Sequence, residues 1–286
     1  MSLSYLQQIV CPICATPLAA TERTLTCANG HSFDLAREGY VHFLRKPLPG
    51  DTKEMLIARR DFFAQGHYRP ISEAVNTSIR TNLAERGQAL AEPFVICDAG
   101  CGEGYYLSRL QASLAEQHTS TTCLGLDISK EAVRMAAKRC RNAFFVVANL
   151  KERLPLADAS LHVMLNIFAP RNLDEFARVL APGGLLLVVI PAPTHLQQLR
   201  NTLHLLQIEE NKQQHVIAQF TEQGQFYLEG ITPVTYELFL QGNEISQLVM
   251  MTPNYWHASE ETRLAMAQLT EIRTEVACVC LAFRRQ

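Results

Sequence analysis

The chain has 286 residues, of which 48% are hydrophobic and 19% are charged, and its formal net charge is −2. This length accommodates one sizeable α/β core and a small additional module. The near-neutral charge excludes binding to nucleic acid through bulk positive charge, so any such contact must use a local patch. Because no apolar run is long enough to span a bilayer and the N-terminus shows no secretory pattern, we expect a cytoplasmic protein without a membrane partner.

A short window near the N-terminus holds three of the nine cysteines. Two residues separate Cys11 from Cys14, and after a further twelve residues comes a second pair, Cys27 and His31, separated by three. Three thiolates and one imidazole complete a closed tetrahedral shell, which is typical of structural zinc. The regular spacing disfavours the alternative of four unrelated residues with buried cysteines. We therefore predict a zinc-binding module over residues 1–46, whose metal supplies much of its folding energy.

Two groups of basic residues are candidates for a local nucleic-acid patch. The first comprises Arg45, Lys46, Arg59 and Arg60, and the second comprises Arg134, Lys138, Arg139 and Arg141. The second group has helical spacing on an exposed side, so a solvated helix face is the favoured interpretation for it.

A helical linker region is predicted over residues 47–92. It follows a break in regular structure at residues 46–50, which contain two prolines and a glycine. Asp51 is the predicted cap of a first helix that begins near Thr52. A Gly-His-Tyr-Arg-Pro segment at residues 66–70 ends that helix, and a second helix follows up to about residue 90.

The remaining residues, 93–286, are predicted to form an α/β domain with a parallel sheet. Strands are predicted at residues 94–99, 122–126, 143–148, 161–167 and 185–190, and helices at 105–114, 130–141 and 173–180. Alternating strands and helices indicate a sheet covered on both faces, and the continuous apolar strands agree with burial on both sides. Two later strands, 231–240 and 276–283, are separated by helices at 243–251 and 259–269.

The first predicted strand of this domain runs directly into a glycine-rich segment, Asp98-Ala99-Gly100-Cys101-Gly102-Glu103-Gly104. Such a turn lets a ligand approach the backbone, because no Cβ stands in the way. A single residue between the last two glycines disfavours a nicotinamide cofactor. Asp127 ends the next strand, where it can accept hydrogen bonds from both ribose hydroxyls. The alternative for Asp127 is a capping or turn carboxylate.

Together with a sharp turn predicted at residues 180–184, these features resemble the class I S-adenosylmethionine-dependent methyltransferases. That resemblance implies a Rossmann-like, mostly parallel sheet of seven strands with helices on both faces. It implies that the methionine part of the cofactor contacts the motif that contains Asp98, and that Asn149 lies near the adenine. It assigns the cofactor lining to Gly100, Gly102 and Gly104, and the ribose to Asp127.

A closer resemblance appears when the zinc window is included. Short blocks that lie in order along the chain are similar to the bacterial 23S ribosomal RNA (guanine-N1)-methyltransferases: the zinc window with residues 31–41, and residues 58–62, 66–68, 102–106, 169–170 and 251–253. The resemblance implies methylation of N1 of a guanine in a hairpin loop of 23S RNA, a zinc finger that helps to bind RNA, and a homodimer. It also implies that Tyr68, Gly102, Glu103 and His195 contact the cofactor.

Asn166 and Phe168 end the fourth predicted strand and are our candidates for the guanine pocket. Phe168 can stack on a splayed base, as aromatic residues do in RNA readers, but it fits a core residue equally well. His195 would be a loop histidine without the family resemblance. Tyr255 and Trp256 are compatible with either a substrate lid or ordinary packing.

Two other functions are compatible with parts of the sequence. A methyltransferase acting on a small molecule would share the cofactor fold, since function lies in the site, but it would not need the zinc module. A non-enzymatic, zinc-dependent RNA-binding factor would need no intact glycine motif. The combination of both features favours the RNA methyltransferase.

Overall fold

A computed structural model describes residues 4–46, 48–85, 94–117, 119–252, 254–257 and 259–286. The strands are β1 (Leu18–Thr21), β2 (Thr24–Cys27), β3 (Ser32–Asp34), β4 (Val41–His42), β5 (Phe94–Ala99), β6 (Thr121–Asp127), β7 (Ala143–Val147), β8 (Leu161–Ile167), β9 (Leu180–Pro191), β10 (Phe226–Gln241) and β11 (Glu271–Arg285). The helices are α1 (Lys53–Ala64), α2 (Arg69–Glu85), α3 (Tyr105–Ala115), α4 (Lys130–Arg139), α5 (Leu173–Val179), α6 (Gln197–Thr202), α7 (Lys212–Thr221), α8 (Asn243–Met250), α9 (Asn254–His257) and α10 (Glu260–Gln268).

The main sheet has eight strands in the order β10-β11-β9-β8-β5-β6-β7-β4. Strands β4 to β9 pair in parallel, whereas β11 is antiparallel to both β9 and β10. The seven predicted strands are all present, and the eighth was not predicted. That strand, Val41–His42, pairs with β7 and comes from the segment assigned to the zinc module. Two residues are too short a run to show strand periodicity in a sequence.

Strands β5 to β9 are buried on both sides because helices cover both faces of this sheet. One core forms between the sheet and helices α1 to α4, α6 and α8, and its buried side chains include Phe62, Ile71, Leu110, Ala136, Leu199 and Ile245. The second core lies on the other face, where Tyr5, Leu25, Phe176 and Phe220 are buried. Strand order reverses at β5, which pairs with β6 and with β8. Crevices that bind ligands form at such a reversal, beyond the carboxyl ends of the strands.

The N-terminal segment folds into a small antiparallel sheet, β1-β2-β3, that packs against one face of the main sheet. Tyr5 stacks on Phe144 of β7 with ring centroids 3.8 Å apart. Val10 N–H donates to the carbonyl of Pro155 at 3.1 Å. These contacts bury apolar surface that so small a module could not cover by itself.

Several predicted details were wrong at the residue level. Thr52, not Asp51, caps α1, and its hydroxyl accepts from Met55 N–H at 3.3 Å. The turn at residues 180–184 lies within β9 rather than ahead of it: Gly183 has φ 70°, and four residues of β9 lie opposite one residue of β8. Helices α6 and α7 were not predicted. The predicted domain limits at residues 47, 92 and 93, the end of α2 near residue 90, and Pro253 lie outside the described residues. Among the described helices, none has the length and apolarity to cross a membrane.

Candidate active site and metal centre

The four predicted zinc ligands converge at one point of the N-terminal module. The sulfurs of Cys14 and Cys27 lie 3.7 Å apart, and His31 Nδ1 lies 3.5 Å from Cys11 Sγ and 3.4 Å from each of the other two sulfurs. A tetrahedral zinc with ordinary bond lengths separates two sulfurs by about 3.8 Å and a sulfur from a nitrogen by about 3.6 Å. These residues therefore fit a closed, structural zinc site with Nδ1 as the imidazole ligand.

Two tight turns hold these ligands. Ala15 N–H donates to the carbonyl of Cys11, which closes the first turn with Ala15 in the left-handed region at φ 57°. In the second turn Gly30 has φ 81°, and Cys27 N–H donates to the carbonyl of His31 at 3.0 Å. The turns aim the sulfurs inward, so the local backbone prepares the metal site.

The glycine-rich turn after β5 packs closely against the loop after β8. Gly100 has φ 93°, and a Cβ placed there would lie 2.3 Å from the Cβ of Ala169. Gly102 N–H donates to Asp127 Oδ2 at 2.9 Å, while Ser129 N–H donates to Oδ1 at 2.8 Å. Both oxygens of Asp127 keep lone pairs for further donors. Ser129, and not Asp127, caps α4, because its hydroxyl accepts a hydrogen bond from Ala132 N–H. The Asp127 carboxylate is thus held at the cavity wall.

Three acidic residues cluster around this turn, and burial raises the pKa of each. Asp98 is 1% exposed, and neither of its carboxylate oxygens has a hydrogen-bond partner among the residues that the structure describes. Burial, and then the charges of Asp127 and Glu103, raise the pKa of Asp98 to about 8. Glu103 is 2% exposed and pairs with Arg139 at 2.9 Å. Such a cluster favours a cationic ligand, and S-adenosylmethionine carries both a sulfonium and an ammonium group.

Helix α1 covers the turn with Arg59, which belongs to the first basic group and to the block at residues 58–62 but was not predicted as a site residue. Arg59 Nη1 lies 2.6 Å from Asp51 Oδ2, and its Nη2 donates to the carbonyl of Met251 at 3.0 Å. The same guanidinium lies against Gly102, where a Cβ would be 3.4 Å from Nη1. Arg59 and Asp51 both line the cavity. The cavity measures about 710 Å³, a size typical of small-ligand sites.

Tyr68 and His195 also line this cavity, where their side chains contact each other. Ala277 N–H donates to His195 Nδ1 at 3.3 Å, so the ring proton resides on Nε2. Nε2 lies 3.4 Å from the Tyr68 hydroxyl and donates to it. Burial, and then the charge of Arg200, lower the pKa of His195 to about 4, so the ring is neutral near pH 7. The hydroxyl hydrogen of Tyr68 is then available to an acceptor in the cavity.

Phe168 is held in an unusual conformation beside this pair. Its φ of 53° lies in the left-handed region, which bulky residues rarely adopt outside strained functional segments. The side chain is 42% exposed, and its ring centroid lies 6.4 Å from that of Tyr68 and 6.3 Å from that of His195. This exposure does not fit a core residue. The three rings, Tyr68, Phe168 and His195, form an aromatic wall of the cavity.

Four of the predicted site residues do not line the cavity. Asp98 lies buried at the end of β5, and Gly104 begins α3. Asn166 is fully buried, and its Nδ2 donates to the carbonyls of Ala99 and Pro170. Asn166 therefore ties the loop after β8 to β5. Asn149 makes local hydrogen bonds instead, with Oδ1 accepting from Lys151 N–H at 3.0 Å and Nδ2 donating to Glu152 Oε1.

Other cavity residues were not predicted as site residues. They include Arg171, Arg200 and Lys212. Trp256, which the sequence left open between a substrate lid and ordinary packing, also lines the cavity and is 59% exposed. Arg171 directly follows a block, residues 169–170, that resembles the family, and this was the one available signal in the sequence. The rest come from segments brought to the cavity only by the fold.

This fold and this site define a class I S-adenosylmethionine-dependent methyltransferase that carries a zinc ribbon. A family profile described as "RlmA, N-terminal" matches residues 9–53, and one described as "Methyltransferase domain" matches residues 96–184. The chain is 40% identical to a Micromonospora griseorubida protein, named provisionally as a 23S rRNA (guanine-N(1)-)-methyltransferase, over 97% of each chain. It is 37% identical to the 23S rRNA (guanine(748)-N(1))-methyltransferase of Streptomyces fradiae, over 95% of this chain and 94% of that one. The chain therefore belongs to the 23S rRNA (guanine-N1)-methyltransferase family.

Proposed function

We propose that this protein transfers the methyl group of S-adenosylmethionine to N1 of a guanine in a hairpin loop of 23S ribosomal RNA. The observation that carries the proposal is the arrangement of one cavity, with an acidic, glycine-lined end and an aromatic wall that contains the exposed, left-handed Phe168. The first end suits a cationic cofactor, and the second suits a flat, unstacked base. The Streptomyces fradiae relative is named for N1 of a guanine in this RNA.

The acidic end would hold the cofactor, which supplies an electrophilic methyl group when it is bound. Asp127, fixed by two backbone N–H groups, would accept from the ribose hydroxyls. Gly100 and Gly102 line the cavity and would contact the methionine part. Glu103 would balance its positive charge, together with Asp98 once the charge of the cofactor lowers the raised pKa of that buried carboxyl group. Gly104 and Asn149 lie outside this lining, so a role for them at the cofactor remains a prediction. Tyr68 and His195, which the resemblance assigns to the cofactor, are proposed here to face the guanine instead.

The aromatic wall would hold the guanine. Phe168 would stack on the base, because its strained backbone keeps the ring in the cavity. The neutral His195 orients the Tyr68 hydroxyl, whose pKa burial holds well above its usual range, so that it stays a donor. Asn166 acts as a positioning residue for this loop. Alignment of the acceptor nitrogen with the methyl group is then the main contribution of the protein to the rate.

The proposal extends to the assembly of the protein. A homodimer is supported by β10, an edge strand of the main sheet on which Ile231 and Phe239 are 45% and 38% exposed. Exposed apolar residues on an unpaired edge favour pairing with a second copy. We also infer that the zinc ribbon contacts the RNA and that the reaction takes place in the cytoplasm, where ribosomal RNA is made. Light scattering of the purified chain tests the dimer, and a monomer at micromolar concentration contradicts it.

Transfer of a radiolabelled methyl group tests the function. The protein is incubated with labelled S-adenosylmethionine and with unmodified 23S RNA, transfer RNA or a small-molecule extract in parallel. We expect label in 23S RNA alone. Cofactor binding with label only in small molecules would indicate a small-molecule methyltransferase. RNA binding without cofactor binding would indicate a non-enzymatic factor.

The aromatic wall is tested by Phe168→Ala, with Leu264→Ala as the control, because Leu264 is an exposed apolar residue of α10 that does not line the cavity. Stacking of a base on an aromatic ring contributes about 1–3 kcal/mol, so kcat/KM for RNA should fall about 5- to 150-fold. The affinity for S-adenosylmethionine should change little. An unchanged kcat/KM in Phe168→Ala would contradict the stacking role.

A further inference from the structure

Two cations of the cavity have no carboxylate within ion-pair distance among the described residues. These are Arg171, in the loop after β8, and Lys212, the first residue of α7. Arg171 Nε is buried and lacks a hydrogen-bond partner within the described part of the chain. Glu209, whose charge acts on Lys212 from beyond ion-pair distance, pairs with His215 at 2.6 Å. Half-buried cations without a counter-charge are costly and so indicate a missing anion.

The other two cations at the cavity are already engaged. Arg59 pairs with Asp51 at 2.6 Å. Arg200 donates to the carbonyls of His195 and Pro193 and to Gln207 Oε1, so its guanidinium holds the loop between β9 and α7 together. Arg171 and Lys212 are therefore the pair that remains available to a ligand.

These two residues lie close to each other and to the aromatic wall. Burial lowers the pKa of Lys212, and the positive charge of Arg171 lowers it further. The charge of Lys212 in turn contributes to the lowered pKa of His195, which is mainly due to burial. The N-terminus of α7 adds a positive potential at the same point. The acidic cluster of Asp98, Glu103 and Asp127 lies around the glycine turn, which meets the loop after β8 at Ala169. The cavity is thus bordered by an acidic cluster at the glycine turn and by a basic pair, Arg171 and Lys212.

We propose that Arg171 and Lys212 form a subsite that binds a backbone phosphodiester of the RNA next to the guanine held by Phe168. A base can enter the cavity only if its nucleotide leaves the stack, and its flanking phosphate then comes to the mouth. A guanidinium and an ammonium are the groups that bind such a phosphate. The subsite rests on the proposed function and adds how the substrate strand is held.

The principal competitor for these cations is the carboxylate of S-adenosylmethionine. The double variant Arg171→Gln, Lys212→Gln separates the two ligands, because affinities for cofactor and RNA are measured apart on the same protein. Arg153→Gln, Arg263→Gln is the control. It also removes two positive charges, and both residues are exposed and do not line the cavity.

Binding of a 23S RNA hairpin is measured over a range of salt concentrations, and binding of the cofactor by calorimetry. We expect the cavity variant to bind RNA about 10- to 100-fold more weakly, as for lost charge-assisted hydrogen bonds. The slope of log K against log salt should shrink by about 0.7–0.9, the value for one phosphate contact. Cofactor affinity should stay within twofold of wild type, and the control variant should match wild type in both assays.

Replacement of single loop phosphates by uncharged methylphosphonates sharpens the test. One replacement should weaken wild-type binding as much as the double variant does, and it should have no further effect in that variant. Reduced cofactor affinity with unchanged RNA affinity would overturn the proposal in favour of the cofactor carboxylate. Unchanged affinity of the double variant for both ligands would overturn the subsite outright. Methyl transfer by the wild-type protein would in that case still support the proposed function. Wild-type protein that neither binds nor methylates the RNA would refute the proposed function, and the subsite with it.

Discussion

The close approach of Gly100 to Ala169 makes a quantitative prediction for Gly100→Ala. A side chain at φ 93° costs about 1–2 kcal/mol in backbone strain. Its Cβ would also lie 2.3 Å from that of Ala169, and relief of such overpacking costs about 1–3 kcal/mol. The free energy of unfolding should therefore fall by about 2–5 kcal/mol, the sum of these terms.

The two contributions can be separated with a second substitution. In Gly100→Ala, Ala169→Gly the contact is relieved but the strain remains, so the double variant should regain about 1–3 kcal/mol relative to additivity. Ala169→Gly alone is the control. Urea unfolding monitored by far-ultraviolet circular dichroism measures stability, and calorimetry measures cofactor affinity. Like the stability, the cofactor affinity should fall in Gly100→Ala and recover in the double variant. A single variant as stable as wild type, or a double variant without recovery, would refute this account of the turn.

Three further predictions concern buried and metal-binding groups. Cys14→Ser should hold less than one zinc per chain and expose the N-terminal module to proteolysis; elemental analysis showing full zinc would contradict the site. Because the pKa of His195 is lowered to about 4, the unfolded state takes up the proton first, and stability is lost as pH falls below about 6.5. Between pH 7 and pH 5 wild type should lose about 2 kcal/mol more than His195→Gln in urea titrations; equal losses would argue against a buried, neutral ring. Asp98 has a raised pKa of about 8, so its burial costs stability as pH rises. Without cofactor, the free energy of unfolding of Asp98→Asn relative to wild type should rise by on the order of 3 kcal/mol between pH 5 and pH 8. A difference in stability that does not change with pH would contradict the raised pKa. The variant should also bind the cofactor more weakly.

Much of the fold follows from signals that are local in the sequence. The zinc ligands are spaced by tight turns, so Cys11, Cys14, Cys27 and His31 could be assigned to one site before the structure was known. Strands buried on both faces appear as continuous apolar runs, and the glycine motif after β5 marks the cofactor turn. These features depend on neighbouring residues alone.

The remaining features depend on distant segments. Strand β4 pairs with β7 across about a hundred residues, and two residues carry no periodicity of their own. Arg59 reaches the glycine turn only because α1 packs beside α8, and its partner carbonyl belongs to Met251. Lys212 begins a helix that the sequence did not predict. Asn166 is a polar residue near the end of a strand, which suggested a pocket residue, but its amide instead ties the loop after β8 to the end of β5.

Identification of the methylated nucleoside is the decisive test of guanine-N1 methylation by this protein. Unmodified 23S RNA is treated with the protein and S-adenosylmethionine, digested and resolved by chromatography with mass detection, and the same RNA is read by primer extension. Our account predicts 1-methylguanosine and a single new extension stop in a hairpin loop, because a methyl group on N1 blocks base pairing. A methyl group on another atom or another nucleotide, or no methylation of RNA by protein that binds the cofactor, would contradict it.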